Sequence, residues 1–360
     1  MTVRAALLTE TGSALTVVDL DLREPGPGQV RVRIAATGVC HSDLSLARGT
    51  LRQQVPAVLG HEAAGTVVAV GDGVTSTTVG ARVVLCWAPP CGQCWFCEQG
   101  EPWLCEHSSD AAGAPYATVD GRGVFPGLST GGFAEETVVG ERAVLAVPDG
   151  VPLEHAALVG CAVMTGVGAV LNTARVRSGQ TVLVVGLGGV GLSVVQGARL
   201  AGASQVVVVD RSPDKLDLAL TMGATDVLAA GGELARQVRA LTGGRGVDHA
   251  FDCVGLGETI RSAWGSTRRG GSTTVVGIGG KEQQVSFSAL ELFHFARTLR
   301  GCVYGGADPR ELMPRILAHA AAGELDLGAL ISSTIGLDGI DAAFADMERG
   351  IGVRAIVVPT

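Results

Sequence analysis

Apolar and polar residues alternate over short stretches in the first 150 positions. Val30-Arg-Val-Arg-Ile34 places an apolar side chain at every second residue with arginines between, the period of a half-buried strand. Gly65-Thr-Val-Val-Ala-Val70 reads as another, and glycine or proline punctuates the runs as in a β-rich domain. From about Val163 the texture changes. Residues 182–185 form a continuous apolar run, 190–200 have helical spacing, 206–209 form a second run and 213–222 a second helix. Further strands are expected at 248–252 and 272–277. Strands apolar on both faces that alternate with helices predict a doubly wound parallel sheet. The expected class is α/β, with a β-rich domain over 1–162 and 304–360 and a sheet-and-helix domain over 163–303.

Composition narrows the function. A chain of 360 residues exceeds one ordinary core, which agrees with two domains. A formal charge of −8 supplies no cationic surface for nucleic acid or anionic lipid. No apolar run reaches membrane-spanning length without glycine or charge, and the first ten residues are too short and too charged for a signal sequence. The expectation is a cytoplasmic protein with no nucleic-acid or membrane partner, whose close cysteines are metal ligands rather than disulfides.

Two sets of such ligands stand out among the nine cysteines. Cys91-Gly-Gln-Cys94-Trp-Phe-Cys97, closed by Cys105, has the spacing of a four-thiolate structural zinc. Cys40, His61 and Cys161 are scattered, and Glu62 follows His61. Two cysteines and a histidine with one position left open make a catalytic zinc site, so two zinc ions per chain are expected. Cys86, Cys253 and Cys302 read as small buried residues, and His107, His155, His249, His294 and His319 as structural or surface groups.

A third motif follows the strand at 182–185. Gly186-Leu-Gly188-Gly189-Val190-Gly191 sits between strand and helix, and Asp210 ends the next strand. That context makes the glycines a dinucleotide fingerprint. The pyrophosphate is expected at the helix N-terminus, and the Asp210 carboxylate on the ribose hydroxyls, which favours NAD over NADP. Lys215 is one of only two lysines, against which Arg211 stands beside the acid as a basic neighbour.

Together Gly38-Val-Cys40-His41-Ser42-Asp43, Gly60-His-Glu-Ala-Ala-Gly65, the four-cysteine lobe, Leu158-Val-Gly-Cys161, the glycine turn with Asp210 and Gly352-Val-Arg354 resemble the medium-chain zinc-dependent alcohol dehydrogenases over the full length. The stretch 161–191 most resembles the branch of liver-type and glutathione-dependent formaldehyde dehydrogenases. The resemblance implies a GroES-like catalytic domain plus a Rossmann domain, with reversible hydride transfer between an alcohol and NAD in a dry cleft between domains. It makes Cys40, His61 and Cys161 the catalytic zinc ligands, with Glu62 behind the metal as an alternative ligand. Asp43 would orient His61, and Ser42 would pass on the substrate proton. His41 would lie near the pyrophosphate, Lys215 near the ribose, Arg354 near the phosphates, and Thr165 and Val190 against the nicotinamide. Leu51 and Trp87 would line the substrate pocket, with Ile278 and Val303 at its outer part. Subunits would associate through 273–278 and 299–304, as a homodimer or, alternatively, a homotetramer.

The chain departs from many relatives at Ser45, where they carry a histidine that ends the proton relay. A serine hydroxyl hands on protons but is no base near neutral pH. No arginine follows Cys105 where glutathione-dependent relatives have one. The expected substrate is therefore a primary, apolar or aromatic alcohol or its aldehyde. The alternative is a biosynthetic reductase acting on a larger carbonyl or iminium with the same zinc and cofactor. A sensor that kept the fold and lost turnover is the reading from outside the enzymes.

Overall fold

The computed structural model describes residues 1–359 as two compact units, Met1–Met164 with Asp308–Thr360, and Thr165–Ala307. The first boundary lies inside the helix Ala162–Gly168, just beyond the change of texture at Val163. The second falls at Ala307, a few residues past the expected 303.

The first unit is built from two β-systems. A closed barrel joins Thr2–Leu8, Thr16–Leu22, Ala117–Val119, Arg122–Pro126 and Ala57–Val58. A second sheet runs Val144–Ala146, Arg82–Leu85, Glu62–Val70, Gln29–Gly38, Arg354–Val357, Ile331–Ile335, with Glu136–Gly140 also paired to Gln29–Gly38. The alternation at 30–34 has its expected consequence: Val30, Val32 and Ile34 are buried, while Arg31 and Arg33 turn the other way. Both arginines pair with the buried Glu136 of the neighbouring strand, at 3.2 and 3.1 Å. A carboxylate taken from water keeps its charge only with such partners.

The second unit is a six-stranded, wholly parallel sheet. Its order is Asp226–Ala229, Gln205–Asp210, Thr181–Val185, Val247–Asp252, Thr267–Val275, Thr298–Gly301. Numbered along the chain this is 3-2-1-4-5-6, the doubly wound Rossmann order. The valine-rich runs at 182–185 and 206–209 are buried on both faces, as a sheet covered by helices requires. The strand expected at 272–277 runs instead over Thr267–Val275, its first residue pairing with Val247 before a register shift that brings Ser272 opposite His249. The order reverses between Thr181–Val185 and Val247–Asp252, and such a switch point, at the carboxyl ends of the strands, is where doubly wound sheets bind ligands. No single helix among the described residues is long and apolar enough to cross a membrane.

Candidate active site and metal centres

The lobe 91–105 folds around its sulfurs. The helix Trp95–Glu98 and the 3-10 turn Pro102–Leu104 bring Cys91, Cys94, Cys97 and Cys105 within 4.8 Å of one another. The sulfur separations include 4.0 Å for Cys91–Cys97, 3.6 Å for Cys94–Cys97 and 3.8 Å for Cys94–Cys105. Four sulfurs at about 2.3 Å from one ion in a tetrahedron lie about 3.8 Å apart, so the cage has the size of a zinc–thiolate site. These distances are far beyond a disulfide bond, and none of the nine cysteines is in a disulfide. Backbone amides of Cys91, Cys94 and His107 donate to sulfurs at 3.2–3.4 Å and offset thiolate charge.

The second cluster is assembled from distant parts of the first unit. Cys40 precedes the helix His41–Arg48, His61 stands just before the strand Glu62–Val70 that Glu62 opens, and Cys161 follows a 3-10 turn. One ligand atom from each lies within 4.8 Å of the others, and all four residues are buried. His61 Nδ1 lies 2.9 Å from Asp43 Oδ1, which fixes the ring and leaves Nε2 free to ligate. That Nε2 is buried with no hydrogen-bond partner, as a nitrogen that awaits a cation would be. Two thiols and an orphaned imidazole nitrogen, with a carboxylate beside them, fit the ligand set of a catalytic zinc.

Asp43 organises more than the ring. Its carboxylate, wholly buried, also accepts from the amides of Cys40 (3.1 Å) and Gly60 (2.9 Å). Gly60 has φ +86°, and a Cβ there would come within 2.6 Å of Phe133, so only glycine lets the chain turn into His61. Glu62 accepts from Ala162 N at 3.2 Å and pairs with Arg354 Nε at 3.1 Å, while Arg354 Nη1 donates to Val39 O. Burial pushes the Glu62 carboxyl up to about 8, against the pull of Arg354. Cys161 drives the Cys40 thiol well below its ordinary range, with Arg354 and His61 adding to the effect against burial. Burial opposes a charged His61, but Asp43 and Cys40 outweigh it and hold its pKa well up.

The residues expected at the site divide into several groups. Asp43, His61, Glu62, Cys40 and Cys161 come together; Ser42 is half-buried and His41 exposed at the start of the same helix. Trp87 stands edge-on to His61, ring centroids 6.5 Å apart. Leu51 packs against the barrel core. Arg354, expected at the cofactor phosphates, is buried behind the cluster on Glu62. Nothing local in the sequence signals that pairing, because the two residues lie on strands far apart in the chain.

In the second unit, Gly186 has φ +90°, and a Cβ at Gly191 would lie 1.8 Å from Gly186 O. A Cβ at Gly188 would meet nothing within 4 Å, so the turn is tight on one side and open on the other. Asp210 accepts from Leu187 N at 2.7 Å and Ser212 N at 2.9 Å, which seats its carboxylate over the turn. Burial lowers the Lys215 pKa, with Asp210 opposing. Thr165 neighbours Gly166, where a Cβ would lie 2.5 Å from Val190 O, so Thr165 and Val190 sit on closely packed segments with the glycine turn. Ile278 and Val303 are exposed.

Fold and clusters together define a dehydrogenase class that couples a thiolate-rich zinc centre to a dinucleotide turn. Residues 26–149 match the alcohol dehydrogenase GroES-like domain and residues 189–318 the zinc-binding dehydrogenase domain. The chain is 38% identical to an S-(hydroxymethyl)glutathione dehydrogenase of Synechocystis, with 98% of this chain and 99% of that one covered. Benzyl alcohol dehydrogenase from Acinetobacter calcoaceticus superposes with TM-score 0.92 at 28% identity, both chains fully covered. A zinc-binding dehydrogenase from Sinorhizobium meliloti bound to NADP gives 0.86 at 26%, again over both full chains. The chain belongs to the medium-chain zinc-dependent alcohol dehydrogenase family, in its formaldehyde-dehydrogenase-like branch.

Proposed function

We propose that this dehydrogenase is NAD-dependent and oxidises primary apolar or aromatic alcohols reversibly, with Met1–Met164 and Asp308–Thr360 as the catalytic unit and Thr165–Ala307 as the cofactor unit. The observation that carries the reading is the buried Cys40–His61–Cys161 cluster with its orphaned Nε2, flanked by the Trp87 ring. Bound there, zinc supplies Lewis-acid polarisation of the substrate oxygen, and the nicotinamide supplies the hydride acceptor. Ser42 takes and passes on the hydroxyl proton. Asp43 holds His61 in one tautomer, and Trp87 gives the alcohol an apolar wall and excludes water. The seated Asp210 carboxylate favours NAD, since it faces a 2′-phosphate with like charge.

A glutathione adduct is less well supported, because no lysine or arginine lies between Cys105 and Arg122 to meet its carboxylates. The second reading, a biosynthetic carbonyl or iminium reductase, draws on Ser45, which lacks a base to drain protons in the oxidative direction. A homodimer is supported by the edge strand Thr298–Gly301, exposed along its length, and by the nearby exposed Leu290 and Phe293. Turnover with NAD and NADP on ethanol, hexanol, benzyl and cinnamyl alcohols, a polyol, formaldehyde with thiols, and the matching aldehydes tests the reading. Chelator-sensitive oxidation of benzyl or cinnamyl alcohol with NAD is the expected result. Reduction of bulky carbonyls with no alcohol oxidation would replace it with the second reading.

A further inference from the structure

Asp252 closes the strand Val247–Asp252 and is wholly buried, yet it belongs to neither metal cluster nor to the glycine turn. Its carboxylate accepts from Gly255 N at 2.8 Å, three residues on, and folds the segment between them into a tight turn. Its main-chain carbonyl accepts from Val276 N at 2.8 Å and Gly277 N at 2.9 Å. The next amide, Cys253 N, donates at 2.9 Å to the carbonyl of Val185, the residue before Gly186. The pair 252–253 thus ties together three loops at the carboxyl ends of the sheet: the glycine turn, 253–257 and 276–280.

Those loops meet at very short range. A Cβ on Gly186 would lie 2.5 Å from a Val254 methyl, and one on Gly277 would lie 2.5 Å from Gly255 N. Packing this close passes any shift of 253–257 directly to Gly186. The sheet order reverses between Thr181–Val185 and Val247–Asp252, so the glycine turn and 253–257 are the two lips of the switch-point crevice. Val254 and Leu256 are exposed on the second lip, while Asp252 and Gly255 at its root are buried. The other carboxylate oxygen of Asp252 is buried with no hydrogen-bond partner, so it meets no ligand. What the acid contributes is the acceptor for Gly255. Burial raises its pKa, and protonated or ionised it keeps an oxygen that can take that amide.

We propose that Asp252 is a positioning residue for the dinucleotide, which sets the spacing of the two lips and thereby the aim of the glycine-turn amides at the pyrophosphate. The proposal rests on the reading of Gly186–Gly191 as a dinucleotide site. Asp252 touches neither substrate nor cofactor and acts through Gly255 and Val254. Without its carboxylate, 253–257 samples several heights over Gly186, and binding has to select one of them, which lowers affinity. The metal ligands all lie in the other unit and are unaffected.

Calorimetric titration of the full-length, zinc-loaded protein with NAD and with NADP tests this, with thermal melts and zinc content in parallel. Asp252→Ala removes the acceptor and should weaken the preferred dinucleotide roughly 10-fold, with zinc content unchanged. Asp252→Asn keeps an oxygen for Gly255 N and should stay within about twofold of wild type. In turnover, KM for the dinucleotide should rise in Asp252→Ala while kcat at saturation holds. A purely structural role would lower Tm but leave the affinity of the folded protein unchanged, and that result overturns the proposal. Equal weakening in the asparagine and alanine variants also overturns it. Hydrogen exchange of the wild type decides the matter if the alanine variant does not fold. The amides of 253–257 should exchange slowly in the dinucleotide-free protein, and free exchange there would show that the carboxylate holds nothing. Wild type that binds neither dinucleotide would remove the reading of the glycine turn itself, and this proposal with it.

Discussion

Replacing Asp43 by asparagine changes one oxygen for a nitrogen at a wholly buried position. In the native chain Oδ1 takes two donors, His61 Nδ1 and Gly60 N, and Oδ2 takes Cys40 N. The asparagine keeps the larger share of these contacts if its carbonyl occupies the Oδ1 place. Its NH2 then faces the Cys40 amide, donor against donor. One hydrogen bond to a charged acceptor is lost and two others become neutral, so the metal-free protein should lose about 1.5–3 kcal/mol. His61 meanwhile loses the carboxylate that makes its Nε2 a better ligand, and zinc affinity should fall roughly 10–100-fold. Competition with a chromophoric chelator gives the affinity, and thermal melts of the metal-free form give the stability. The four-cysteine site supplies an internal control, since its zinc should remain. Unchanged affinity at the catalytic site, with the expected loss of metal-free stability, would refute the account of Asp43 as an orienting group.

Further outcomes follow from other contacts. Ser45→His should raise alcohol oxidation roughly 10-fold near pH 6.5–7 and flatten its pH profile; an identical profile would show that Ser45 lies outside the proton path. Asp210→Asn removes the charge opposed to a 2′-phosphate, and kcat/KM for NADP should rise relative to NAD by roughly 10-fold or more. Asp248 joins two strands by accepting from Thr181 N and Oγ1 at 2.8 and 2.9 Å and from Arg268 Nε at 2.6 Å. Burial would raise its pKa, but these donors outweigh it and hold the carboxyl below its ordinary value. The stabilisation is therefore complete above the unfolded carboxyl's pKa of about 4 and is lost as pH falls through the lower folded value. Asp248→Asn should cost about 1–3 kcal/mol at pH 7, with the difference in Tm from wild type shrinking below about pH 4. Cys97→Ser should release one zinc of the two and leave binding at the other site intact, as elemental analysis would read.

Much of this was legible because ligands and glycine turns are written in local spacing. Four cysteines within fifteen positions can hardly avoid meeting, and the valine runs at 182–185 and 206–209 could be satisfied only between covering helices. The barrel was harder to see. Its strand Ala57–Val58 is two residues long, too short to show any period, and its closure depends on pairings remote in sequence. The setting of Arg354 was equally invisible, since a lone arginine before an apolar strand looks the same whether it meets a phosphate or a carboxylate.

The pairing of Glu62 with Arg354 also sets an order of events at the ribosome. The strand Arg354–Val357, which pairs with Gln29–Gly38, is synthesised nearly two hundred residues after the last of the metal ligands, Cys161. Cys40, His61 and Cys161 emerge long before it, and at roughly 5–20 residues per second the delay after Cys161 is roughly 10–40 s. During that interval Glu62 lacks its buried counter-charge, while the whole of Thr165–Ala307 is already free to fold on its own. The nucleotide sheet can thus form while Glu62 still lacks Arg354, and emergence of the strand Arg354–Val357 is what supplies the charge that lets Glu62 stay buried as a carboxylate beside the metal ligands.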